Sequence, residues 1–149
     1  MTAKRVIPDG LEGPIRDLAV AAVFDAYPEP VRAALLDLRA LILQTAAATP
    51  GVGTLTEALR WKQPAYLTAQ TGAGTTIRID ALKGSTDGYA LYVNCKTTLV
   101  ESYRHLYPDL RFEGRRALIL SAKAPPSTDT LRHCIALALT YHRKTATAA

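Results

Sequence analysis

Apolar side chains recur every three to four positions through residues 14–50, switch to every second position from Glu57 to about Cys95, and return to helical spacing near the C-terminus. In GPIRDLAVAAVFDAY, Pro14 stands near a helix start, and Ile15, Leu18, Ala19, Ala22 and Val23 form an apolar stripe. YPEPVRAALLDLRALILQTAAATPGVG starts a second helix with Pro30 in its first turn. Val31, Ala34, Leu35, Leu38, Leu41 and Ile42 share one face of it, and Pro50-Gly51 ends it. The period of two begins where Leu59 and Trp61 alternate with Arg60 and Lys62. It continues in TTIRIDAL, with Ile77, Ile79 and Ala81 opposite Arg78 and Asp80, and in YALYVNC, where Tyr89, Leu91 and Val93 share a face. Turn residues at Gly72 to Gly74 and in KGSTDG separate these segments, so three neighbouring strands in an antiparallel meander are expected.

Trp61 shares its strand face with Leu59, and the expectation is a core anchor. Pro64 removes a ladder donor and marks a strand end, an edge or a bulge, after which Tyr66 can face either way. Thr98 followed by Glu101 reads as a capping box for a short helix carrying Leu99, Tyr103 and Leu106. RALILS is a further strand, entered through RFEG as a bend or short strand. The tandem prolines of KAPPSTDT stop the sheet, and Ser127 or Thr128 with Asp129 caps a last helix whose stripe is Leu131, Cys134, Ile135, Ala138 and His142. This order predicts an α+β domain in which an antiparallel sheet of about four or five strands carries helices on one face. Residues 1–13 read as a flexible tail, 14–144 as a single domain and 145–149 as a disordered tail.

Composition narrows the function classes. A chain of 149 residues with 48% hydrophobic content can bury one core without disulfides. Cys95 and Cys134 form no CxxC pair, which excludes a zinc knuckle or redox motif of that spacing, and they read as buried hydrophobes in a reducing compartment. No apolar run approaches the roughly 20 residues of a membrane span, and MTAKRVIPDG lacks the apolar stretch of a secretion signal, so no membrane association and a cytoplasmic location are expected. The net charge of +5 is uneven, with five Lys/Arg against six Asp/Glu in residues 1–40 and thirteen against seven beyond. Only RFEGRR is locally dense in cations, which argues against a nucleic-acid interface and leaves a nucleic-acid accessory role as an alternative centred there.

If the apolar strand positions point inward, Arg60, Lys62, Arg78, Asp80, Tyr92 and Asn94 point outward together. With Tyr66 they make the candidate ligand site, a polar sheet face able to meet a small anionic molecule or a partner sheet, and so to permit a homodimer. No GxGxxG, P-loop, GxSxG or HExxH pattern occurs. The nucleophile-and-base pairing that can be imagined is Cys95 with His105 or His133, which defines a second alternative, a small Cys-dependent enzyme.

AYPEPVRAALLDLRALI, LRWKQPAYLT and ALILSAKAPP, taken with the closing helix, resemble the YdhG-like family, a bacterial domain family of unknown function. The resemblance runs from about Val23 to Lys144. It rests on a Tyr-Pro entry to the first long helix, a Trp-x-x-Pro-x-Tyr strand at Trp61, Pro64 and Tyr66, and a proline link at Pro125 and Pro126. It implies a frataxin-like two-layer fold and, for one branch of the family, an intracellular iron chaperone. Iron carriage would draw on carboxylate oxygens of the first two helices, Asp25, Glu29 and Asp37, and would deliver the metal to a recipient protein. The expectation is a non-catalytic binding or carrier domain for a small molecule or a metal ion, with iron as the one cofactor implied.

Overall fold

A computed structural model describes residues 14–143. The two tails read from the sequence, and Lys144, lie outside the described residues. The elements run α1 (Leu18–Ala26), α2 (Glu29–Ala48), β1 (Thr56–Arg60), β2 (Gln63–Leu67), β3 (Ile77–Ala81), β4 (Gly88–Tyr92), α3 (Leu99–Leu106), β5 (Arg111–Glu113), β6 (Ala117–Ser121) and α4 (Thr128–Leu139), followed by a 3-10 turn at Tyr141–Arg143. The strands form one sheet in the order β1-β2-β3-β4-β6-β5, antiparallel throughout. The α+β expectation holds, with six strands where four or five were expected.

The extra strand comes from the opening hairpin. The segment from Glu57 folds back on itself with Arg60 opposite Gln63, leaving Trp61 and Lys62 as a two-residue turn. Both have positive φ, 55° and 65°, which is what such a turn requires if its twist is to match that of the strands. The usual Asn-Gly signal is absent, so the alternation of Leu59 and Trp61 mimicked one continuous strand. Trp61 is consequently not a core anchor: it is 85% exposed.

Alternation along the strands places Tyr66, Ile77, Ile79, Tyr89, Leu91, Leu118 and Leu120 in the main core, together with Val31, Leu35, Leu38 and Ile42 of α2 and Leu131, Cys134, Ile135 and Ala138 of α4. The opposite sheet face carries a small second cluster, Ala90, Ala117 and Ile119, with Leu82 and Tyr92 against it. No helix among the described residues is long and apolar enough to cross a membrane.

Several helix expectations shift. The Asp17 carboxylate accepts from the Val20 N–H at 3.0 Å, so α1 begins at Leu18 rather than near Pro14. Its buried residues are Val20 and Phe24, and Leu18 from the expected stripe is exposed. Thr98 holds the N-cap position of α3 without a side-chain cap bond, since its backbone (φ −96°, ψ 17°) is not extended, and Leu106 is exposed. Ser127 caps α4 as expected, accepting from the Thr130 N–H at 3.1 Å, but the helix ends at Leu139 and leaves His142 exposed in the following turn.

Gly74 fixes the β2–β3 connection against α4. The Thr75 N–H donates to Ala138 O at 3.0 Å and the His142 N–H to Ala73 O at 2.8 Å, and a Cβ on Gly74 would overlap the Ala138 and Leu139 carbonyls. Because those atoms are backbone, Gly74→Ala is expected to destabilise by about 1–3 kcal/mol in urea denaturation. Unchanged stability would show that this loop does not bear on α4.

Candidate functional site

The outward sheet face forms a cleft of about 680 Å³. Arg60, Arg78 and Arg116 line it with Trp61, Gln63 and Tyr92, and among the described residues no carboxylate contributes to the lining. Register brings them together. Arg78 of β3 lies opposite Tyr92 of β4 and Ala65 of β2, so the pleat directs Arg78 and Tyr92 to the same outward face. Arg60 and Gln63 are the partners that close the β1–β2 turn.

A chain of hydrogen bonds holds Arg78 in place. Its Nη1 donates to Gln63 Oε1 at 2.5 Å, Gln63 Nε2 donates to Asp80 Oδ2 at 3.1 Å, and the Tyr27 hydroxyl donates to Asp80 Oδ1 at 2.8 Å. The β2–β3 ladder covers only Ala65 with Arg78 and Tyr66 with Ile77, and Pro64, which has no N–H, follows at the next step. Tyr27 reaches Asp80 beyond that end of the ladder.

The cleft is electropositive for identifiable reasons. Burial, and then the charge of Arg116, push the Arg78 guanidinium below its ordinary 12.5, although it remains a cation at neutral pH. The guanidinium carbons of Arg78 and Arg116 lie 5.4 Å and 6.0 Å from the Tyr92 ring centroid, within the range of cation–π attraction. Burial, with Asp80 next in importance, raises the Tyr92 phenol, so Tyr92 is neutral there.

Of the residues expected from the sequence, Arg60, Arg78, Tyr92 and Asn94 line this cleft. Lys62 is exposed in the turn beside Trp61, outside the lining. Asp80 supports the cleft through Gln63 rather than facing a ligand. Tyr66 does not belong to the site: it is fully buried on the helix side and donates to Glu57 Oε2 at 2.8 Å. Arg116 was not legible as a site residue, because it lies in the turn between β5 and β6 and reaches the cleft only through the pairing of β6 with β4. Trp61 and Gln63 were not, because the Trp61-Lys62 turn moves the outward positions from even numbers in β1 to odd numbers in β2. A polar Gln directly after a Trp-Lys pair is the one signal that could have suggested it.

Cys95 also departs from expectation. It is exposed in the cleft lining, whereas Cys134 is buried and its thiol is pushed up to about 12 by that burial. No histidine lines the cleft beside Cys95. His105 is exposed on α3, and His133 Nδ1 is 2.6 Å from the Tyr107 hydroxyl. The Cys–His pairing imagined for the enzyme alternative is therefore not assembled at this cleft.

The acidic set fares likewise. Asp25, Glu29 and Asp37 are all exposed, and Glu29 and Asp37 are eight residues apart on α2, roughly 12 Å at 1.5 Å per residue. Among the described residues no three His, Cys, Asp or Glu side chains form a group that could hold a metal ion. Asp37 instead is, among the described residues, the one charged residue lining a second cleft, about 620 Å³, between α2, α4 and the Pro125-Pro126 link. RFEGRR becomes β5 and its turn into β6, and Arg116 at its end faces the first cleft. No protein-family model, no curated protein and no solved structure matches this chain.

Proposed function

We propose that this domain is a non-catalytic binding or carrier protein whose cargo is a small anionic molecule held in the outward-face cleft. The observation that carries this reading is the convergence of Arg60, Arg78 and Arg116 on a cleft that no carboxylate lines among the described residues. Partly desolvated like charges repel, and a bound anion both relieves that repulsion and accepts charge-assisted hydrogen bonds. The volume of about 680 Å³ lies in the range of small-molecule sites. The YdhG-like resemblance agrees with a carrier role. Its iron version would need oxygen donors gathered on one surface, and Asp25, Glu29 and Asp37 stand apart.

Pyrophosphate and citrate serve as probes. Each is expected to raise the melting temperature in a saturable way that weakens as salt is added. Arg78→Ala should weaken pyrophosphate binding by about 10- to 100-fold, the worth of one charge-assisted hydrogen-bond donor, while changing the unliganded melting temperature little. Equal affinity in the variant would contradict the proposal.

A further inference from the structure

We infer that the cargo carries a planar aromatic ring joined to a phosphate or carboxylate group, the ring stacking on Trp61 while Arg78 and Arg116 take the anion. This rests on the anion-binding reading above and extends it. The chain contains one Trp, and it stands 85% exposed at the rim of the basic cleft, on a turn where it and Lys62 both have positive φ. For a bulky residue such a φ is an outlier, and Asn-Gly would make the same turn without strain. The fold thus gains nothing from Trp61: it buries almost none of its surface and strains the backbone. Strain of this kind is retained where the side chain has work to do in its exposed position.

The other aromatic in the lining, Tyr92, already has Arg78 and Arg116 packed at its ring. Trp61 is the aromatic surface left for a ligand. Asn94 adds a neutral amide to the lining, and the size suits a molecule of mononucleotide dimensions. An indole stacked on a ring recognises the flat face whatever its substituents, and the guanidiniums recognise the charge, so both parts are needed for full affinity.

Because Trp61 is the only Trp, its fluorescence reports the site directly. The probes are adenosine 5′-monophosphate for a ring with phosphate, orotate for a ring with carboxylate, ribose 5-phosphate and pyrophosphate for the anion alone, and adenosine for the ring alone. The expected result is saturable quenching by adenosine 5′-monophosphate or orotate, with affinity about tenfold above ribose 5-phosphate and adenosine; which of the two binds more tightly identifies the anionic group. In calorimetry Trp61→Ala should bring the ring compounds down to the affinity of ribose 5-phosphate and leave ribose 5-phosphate unchanged. Trp61→Asn with Lys62→Gly should lose the same ring-dependent affinity yet raise the melting temperature by a few degrees.

Pyrophosphate and ribose 5-phosphate binding through Arg78 with no gain from a ring, and no effect of Trp61→Ala, would overturn the ring inference and leave the anion site standing. No binding by any of the probes would overturn both. A lower melting temperature in the Asn-Gly variant would remove the strain argument.

Discussion

Glu57→Gln is expected to lower the unfolding free energy by about 3–5 kcal/mol. Glu57 lies on the core face of β1, opposite Tyr66, and its carboxylate accepts from Arg39 Nε at 2.5 Å and Nη2 at 3.1 Å. The two side chains are only 6% and 4% exposed. Such a pair returns little net stability, because desolvation offsets the attraction, but neutralising Glu57 weakens two charge-assisted bonds from a buried guanidinium and one from the Tyr66 hydroxyl. Replacing all three side chains together, by Arg39→Met, Glu57→Leu and Tyr66→Phe, should recover most of the loss. Urea denaturation with an unchanged m-value checks both.

The same network sets an alkaline limit. Burial, and then the neighbouring Glu57 carboxylate, raise the Tyr66 phenol well above its ordinary 10.0. The unfolded chain then releases that proton before the folded one does, so this contribution is present in full below pH 10 and is lost as the pH climbs toward the folded-state value. Tyr66→Phe should flatten that alkaline decline.

Phe24→Ala should cost about 3–5 kcal/mol, whereas Leu18→Ala should change stability by no more than about 0.5 kcal/mol. Phe24 is 1% exposed and meets Tyr27 edge to face at 5.7 Å, while Leu18 is 84% exposed. The contrast opposes the apolar stripe read in GPIRDLAVAAVFDAY, which included Leu18 and omitted Phe24. Comparable losses in thermal unfolding would put Leu18 in the core and contradict this placement of α1.

Those two residues show what the sequence could convey. The stripes of α2 and α4 were legible because they are long enough for helical periodicity to be unambiguous, and Val31, Leu35, Leu38, Ile42, Leu131, Cys134, Ile135 and Ala138 are buried as expected. The nine-residue α1 offers two alternative stripes, and the Asp17 cap selects between them. For the outward face, the alternation of β3 and β4 predicted that Arg78 and Tyr92 share a side, and they do because each strand stays in phase. The hairpin was not legible, since a turn made by Trp and Lys has no compositional mark, and that one turn puts Trp61 on the surface and settles Tyr66 in the core. Arg39 reads as one more surface cation on α2, because the carboxylate that receives it comes from another element 18 residues away.

Anion binding across β2, β3 and β4 on the outward sheet face is the centre of this account. Amide chemical-shift mapping during a pyrophosphate titration tests it most directly. The account predicts saturable shifts centred on Arg60 to Gln63, Thr76 to Arg78, Tyr92 to Cys95 and Arg116, fading as salt is added. Shifts centred on Asp25, Glu29 and Asp37, or on the cleft between α2 and α4, or no saturable shifts at all, would contradict it.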